Sequence, residues 1–309
     1  MKRLVVVKPH GFCSGVVRAV ETARMVLVRH RGERIYCLHE IVHNEHVVDE
    51  LSRAGMVFVK RVDEVPEGAI LLFSAHGVAP EVRRAAEARR LRVVDATCPF
   101  VAKVHASVRR FASQGIPVIC IGHRNHDEVV GVAGEAPDAV QIVEREADAE
   151  TVAVPANGKV AVVTQTTLGA EQVDRVVAVL RRRFPDLDVP EGTDVCYATR
   201  NRQRAVLELA RRCGRVLVLG SANSSNSQRL VETARTAGTE AHLIRVCGDL
   251  ATLDWSGCET VGITSGASTP EPFLSDVKRY LQEREGFPEA EELVVAVEDP
   301  HLFRLPVCL

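Results

Sequence analysis

Short runs of Val, Ile and Leu recur along the chain, each followed by a longer stretch in which apolar residues return at three- and four-residue intervals. The runs are LVVV (4–7), IYCL (35–38), AILLFSA (69–75), RVVDA (92–96), PVICIG (117–122), VAVVTQ (160–165), RVLVLG (215–220), HLIRV (242–246) and TVGIT (260–264). They lack clean alternation, which marks strands covered on both faces in parallel sheets. Between them, Val173, Val176, Val177, Leu180 and Phe184 share one helical stripe within 170–184. A second helix is expected over 200–212, carrying Val206, Leu209 and Ala210, with Cys213 on the same stripe and Gly214 as its stop. A repeated strand–loop–helix order predicts an α/β fold with mostly parallel sheets.

Composition marks few boundaries. Pro99 after Cys98 and the polar stretch FPDLDVPEGTD (184–194) are the best cues. They predict α/β domains over 1–97, 98–195 and 196–285, with a tail, 286–309, packing back on the body. The 309 residues are 46% hydrophobic and 26% charged, enough for real cores. Net charge is −2 and the arginines are spread along helices, which argues against a nucleic-acid partner. No apolar run approaches the ~18 residues of a membrane span. The opening MKRLVVVKPHG holds too short an apolar stretch for a signal-peptide core. A cytoplasmic protein without a membrane partner is therefore expected. Its nine cysteines then read as thiols or metal ligands rather than a disulfide framework.

Three cysteines share one context. Cys13 in HGFCSG, Cys98 in DATCPF and Cys196 in TDVCYAT each stand between an extended stretch and a helix, about one small α/β unit apart. Cys37 and Cys120 lie inside apolar runs, and Cys213 lies on a helix stripe. Cys247 and Cys258 sit near short turns and Cys308 in the tail. These six read as the small, buried or inert kind. No C-x-x-C pair is present. Three converging thiolates could hold zinc with one open position, or three irons of a four-iron cluster. A helix N-terminus favours the thiolate in either case.

Histidines and hydroxyls cluster at strand ends. HEIVHNEHVV carries His39, His43 and His46; FSAHGV carries His76; IGHRNHDEVVG carries His123, His126 and Glu128. GSANSSNSQRL (220–230) and TSGASTPEP (264–272) hold more hydroxyl and amide groups than one helix cap requires. Helix N-termini with such loops bind phosphates, so a small phosphorylated or diphosphorylated ligand is expected. Neither GxxxxGK nor GxGxxG occurs. VVTQTTLGAEQ sets Thr164, Thr166 and Thr167 before a helix, where hydroxyls can order water or pass a proton, and Glu128 is the natural acid.

The motifs PHGFCSGV, HEIVHN, FSAHGV, DATCP, GHRNHDEV, TQTTL, CYATRNRQ, GSANSSNS and TSGAST occur in the order found in 4-hydroxy-3-methylbut-2-enyl diphosphate reductases, which the chain resembles over about residues 8–270. The resemblance implies three similar α/β domains in a pseudo-threefold trefoil around a central cluster cavity. It implies one 4Fe–4S cluster held by Cys13, Cys98 and Cys196, with one open iron. It implies that His43, His76, His126 and Thr166 face the substrate and that Ser224, Ser225, Asn226 and Ser268 bind its diphosphate. Glu128, Thr166 and His126 would be catalytic, with Thr167 a nearby support. The implied reaction is a two-electron reductive dehydroxylation giving isopentenyl and dimethylallyl diphosphate, with ferredoxin or flavodoxin as electron donor. Here His10 stands where arginine is frequent in that family, Asn125 and Asp127 replace a glycine and a proline around His126, and Arg200 lies in the CYATRNRQ turn. Two other readings of the same cysteines are a three-thiolate zinc hydrolase of a small phosphorylated substrate and a non-enzymatic cluster carrier.

Overall fold

A computed structural model describes residues 2–154, 158–190 and 193–306, so Cys308 lies outside the described residues. The chain opens with β1 (Arg3–Lys8) and α1 (Ser14–Arg29). Then come β2 (Ile35–Leu38), α2 (Glu45–Arg53), β3 (Met56–Val59), β4 (Ile70–Phe73), α3 (Pro80–Ala88), β5 (Arg92–Asp95) and α4 (Pro99–Ser113). The next stretch holds β6 (Val118–Ile121), α5 (Asp127–Ala133), β7 (Val140–Val143), α6 (Glu146–Thr151), β8 (Val160–Thr164), α7 (Ala170–Arg183) and β9 (Leu187–Asp188). The last holds α8 (Tyr197–Ala210), β10 (Arg215–Leu219), α9 (Ser225–Thr236), β11 (Glu240–Ile244), β12 (Thr260–Ser265), α10 (Glu271–Glu285) and β13 (Glu291–Val294). No helix among the described residues is long and apolar enough to cross a membrane.

The strands form three sheets, ordered β3-β2-β4-β5, β7-β6-β8-β9 and β11-β10-β12-β1-β13, and their ladders run parallel. The α/β class with parallel sheets is thus as expected. One topology recurs in all three. A first strand is flanked by the second on its outer side and by the third on the other, with a fourth beyond. In the third sheet that fourth strand is β1, from the start of the chain, paired Val5 to Gly262 with β12. The tail strand β13 is added outside it, Val5 opposite Glu291.

The chain divides into two compact units. Unit 1 comprises Met1–Val17, His43–Asp49 and Tyr197–Leu302 and contains the five-stranded sheet; unit 2 comprises Arg18–Val42, Glu50–Cys196 and Phe303–Leu309 and contains the two four-stranded sheets.

Unit 1 shows why LVVV reads as an unbroken apolar run. Leu4 and Val6 join Leu217, Ile263, Phe273, Val277 and Leu281 on one face of the sheet. Val5 and Val7 join Val206, Leu209, Val218 and Leu230 on the other. Both pleat directions meet a helix layer, so neither tolerates a polar residue. In unit 2 the expected stripe of α7 covers Ile119, Ile121, Val160 and Val162. The opposite face of that sheet packs on Val104, Val108 and Phe111 of α4. The helix ends at Arg183, with Phe184 its half-buried cap. α8 starts at Tyr197, three residues ahead of the expected 200, directly after Cys196.

Candidate active site

In sheets of this order, the crevice beyond the carboxyl ends of the first and third strands is where ligand-binding loops gather. Each of the three singled-out cysteines stands immediately before a helix: Cys13 before α1, Cys98 before α4, Cys196 before α8. Each donates its backbone N–H to the carbonyl two residues past the end of a third strand. The acceptors are Ala267 after β12 (3.1 Å), Ala75 after β4 (3.0 Å) and Thr166 after β8 (3.0 Å). The same bond at the same topological position in three sheets is an internal repeat far sharper than the sequence spacing suggests.

All three thiols are partly exposed and stand directly before the first turn of a helix. Cys98 does not use its side chain to cap its own helix. The buried cysteines differ. Burial pushes the Cys120 thiol up to about 12 and the Cys213 thiol up to about 11, and Cys37 is pushed up as well. Burial thus disfavours the thiolate at these three. Cys13, Cys98 and Cys196 each offer an accessible sulfur on a turn whose backbone is anchored from behind, a donor of the kind that soft-metal centres use.

In unit 2, the loop after β6 ends at His126, which caps α5: its Nδ1 accepts the Glu128 N–H at 3.2 Å. Glu128 is 2% exposed. Its carboxylate accepts the Thr166 N–H at 2.7 Å and the Thr166 hydroxyl at 3.0 Å. A buried carboxylate needs such donors to offset its lost hydration. Because the Thr166 carbonyl also accepts the Cys196 N–H, one residue joins the acid to a cysteine turn. His76 follows β4, its Nδ1 lying 3.2 Å from the Ser74 hydroxyl. Its ring meets that of His126 edge-on, centroids 5.7 Å apart. Thr167 accepts a hydrogen bond from the Gln165 amide (2.9 Å), and Gln165 in turn accepts the His123 N–H (3.0 Å). Asp127 lies 3.3 Å from His39, and that hydrogen bond raises the imidazole pKa.

In unit 1, the hydroxyl-rich loop after β10 is largely occupied with itself. Ser221 accepts the Glu45 N–H at 3.0 Å. Ser224 caps α9, accepting the Ser227 N–H at 3.3 Å and the Ser227 hydroxyl at 3.0 Å. Asn226 is the exception: it is 5% exposed, yet neither its Oδ1 nor its Nδ2 has a hydrogen-bond partner. A buried amide in that condition costs about 1–3 kcal/mol per group unless a ligand or water completes it. It lies with Ser225 in the first turn of α9, where backbone N–H groups suit an anion. Ser268 donates to the His43 carbonyl at 3.0 Å.

Unit 2 therefore links His76 to His126, His126 to Glu128 and Glu128 to Thr166, whose carbonyl holds the Cys196 turn, while Ala75, next to His76, holds that of Cys98. Unit 1 carries Cys13, His43, Ser224, Ser225, Asn226 and Ser268. Some partners were not foreseen. Asp194, two residues before Cys196, accepts the Thr164 N–H at 3.2 Å and returns its own N–H to the Thr164 hydroxyl at 3.1 Å; the TDVC motif already displayed it. His105 is buried on α4, 2.7 Å from Glu135, which also accepts from Arg109 at 2.7 Å. A Cβ on Gly77 would come within 2.8 Å of the His105 Nε2, so this ring wedges the turn that follows His76. Nothing in a single sequence pairs His105 with Glu135.

Residues 4–282 match the family model described as LytB protein. The chain is 49% identical over 306 residues to the 4-hydroxy-3-methylbut-2-enyl diphosphate reductase of Mycolicibacterium paratuberculosis, covering 99% of this chain and 91% of that one. It is 51% identical over 283 residues to 4-hydroxy-3-methylbut-2-enyl diphosphate reductase 1 of Mycobacterium bovis, covering 91% and 84%. Among solved structures, the E-1-hydroxy-2-methyl-but-2-enyl-4-diphosphate reductase from Plasmodium falciparum superposes with a TM-score of 0.95 at 36% identity, covering 99% of this chain and 96% of that one. The chain thus belongs to the LytB family, alongside relatives that carry the name 4-hydroxy-3-methylbut-2-enyl diphosphate reductase.

Proposed function

We propose that the chain is an iron–sulfur reductase that removes the hydroxyl group of 4-hydroxy-3-methylbut-2-enyl diphosphate, giving isopentenyl and dimethylallyl diphosphate. The balance is simple: one C–O bond breaks, one C–H bond forms, two electrons and two protons enter, and water leaves. Cys13, Cys98 and Cys196 would hold one 4Fe–4S cluster, leaving one iron without a protein ligand. When bound, that group supplies electrons in single steps and a Lewis-acidic iron. The electrons would come from a ferredoxin or flavodoxin.

The chain's own residues do the rest. Asn226, Ser224, Ser225 and Ser268, with the first turn of α9, hold the diphosphate through charge-assisted hydrogen bonds of about 1.5–3 kcal/mol each. His43, His76 and His126 orient the substrate. Glu128 is the proton reservoir, and the Thr166 hydroxyl, 3.0 Å away, is the group through which the proton passes to the departing oxygen. The observation that carries this reading is Thr166 itself. It touches the only acid of the set with its N–H and hydroxyl, and a proposed ligand turn with its carbonyl. In this reading a single residue would join proton supply to electron supply.

The test is anaerobic turnover with a one-electron reductant. Glu128→Gln should keep iron content and diphosphate affinity while lowering the rate by about 10²–10⁴-fold, the usual contribution of a general acid. Turnover at the wild-type rate would remove Glu128 from the mechanism. A colourless, zinc-loaded wild-type protein would favour the hydrolase reading instead.

A further inference from the structure

Arg202 is wholly buried, at 0% exposure, and is the bulkiest side chain so enclosed among the described residues. It lies in α8, within unit 1, and its contacts converge on the turn that carries Cys13. Its Nη2 donates to the Gly11 carbonyl at 2.9 Å, two residues before the cysteine. Its Nη1 donates to the Ala198 carbonyl at 3.0 Å and to both carboxylate oxygens of Glu298, at 3.0 and 3.2 Å. Asn201 adds a third bond to Glu298 at 3.0 Å. Glu298 belongs to the tail, whose entry is fixed where Val295 donates to the Lys8 carbonyl at 2.9 Å.

The other side of the turn is held as well. The Gly11 N–H goes to the Ser265 hydroxyl at 2.7 Å, and the Cys13 N–H to Ala267. Ser14, the next residue, meets the Tyr197 hydroxyl at 2.7 Å. Gly11 is at φ +71°, a backbone that only glycine adopts readily, so the turn has little stiffness of its own. A buried ion pair is a poor source of stability compared with apolar packing. What this one does supply is a fixed, directional donor on a specific carbonyl.

We propose that the Arg202–Glu298 pair is a positioning device for Cys13. The tail supplies the counter-charge that keeps Arg202 buried, and Arg202 clamps Gly11 so that the Cys13 sulfur is presented in one place. For the metal centre this rests on the iron–sulfur reading above; for the turn it does not. Two readouts on the full-length protein keep them apart. Amide exchange of the segment holding Gly11 and Cys13 should rise by at least about tenfold in Arg202→Met and in the milder Glu298→Gln, with β6 and α5 unchanged. In anaerobically prepared protein, the same variants should release iron to a chelator about tenfold faster than wild type, the effect of loosening one of three ligands. Arg202→Lys, which keeps the charge but cannot bridge Gly11 and Glu298 together, should fall between them. Unchanged exchange at Gly11 and Cys13 in folded variants overturns the clamp whatever the metal content. A wild-type protein that takes up no iron overturns the cluster reading, and the exchange result still decides the clamp.

Discussion

At the residue scale, Glu128 and Thr166 could each be singled out because their cues are local: Glu128 lies two residues from His126, and Thr166 sits in a run of hydroxyls at a strand end. Their partnership was not legible, since 38 positions separate them in the chain. The same holds for His105, which the sequence shows only as one more apolar-helix histidine. Burial lowers its pKa below the ordinary 6.5; Glu135 opposes this, while Arg83 and Arg109 add to it. The unfolded imidazole therefore takes up its proton first as pH falls. His105 contributes stability that is fully present above about 6.5 and is lost as pH drops through its lower folded value. The melting temperature of the wild type should fall between about pH 7 and pH 5 more steeply than that of His105→Gln. Equal slopes for the two proteins would contradict a neutral, wedged His105.

At the scale of elements, the apolar runs were a dependable guide to strands covered on both faces and a poor one to sheet edges. The nine expected strands are all present, with β11 two residues ahead of its expected place. The four not expected, β3, β7, β9 and β13, each lie at the edge of a sheet. There one side is solvated, so Val57 and Gln141 are exposed and the continuous apolar signal breaks. The hydroxyl-rich loop after β10 also does packing work that the sequence pattern does not display. Ser227 is a packing element wedged between two glycines. A Cβ on Gly266 would lie 2.1 Å from the Ser227 hydroxyl but 3.4 Å from its Cβ; on Gly220 the corresponding distances are 2.2 and 2.7 Å. Gly266→Ala should destabilise by about 1–3 kcal/mol, the usual cost of overpacking. Adding Ser227→Ala should recover most of that loss for Gly266→Ala but little for Gly220→Ala. Thermal unfolding of the two double variants decides it, and equal rescue would contradict the packing described.

At the scale of the whole molecule, the chain is three copies of one strand order, the last completed by the strand with which the chain begins. Cysteine spacing hinted at the repeat. The closure by β1 left no trace in the sequence, because LVVV is as suitable for one doubly covered sheet as for another. What the repeat would add to the proposed function is the recurrence of a cysteine turn, anchored by one backbone bond, in each sheet. The most direct test is the iron and sulfide content of anaerobically purified protein, measured for the wild type and for Cys13→Ser, Cys98→Ser, Cys196→Ser and Cys258→Ser. Wild type and Cys258→Ser should hold about four irons and four sulfides per chain, and each of the other three variants should lose most of both. Full iron and sulfide in any one of those three would contradict the proposed three-cysteine cluster.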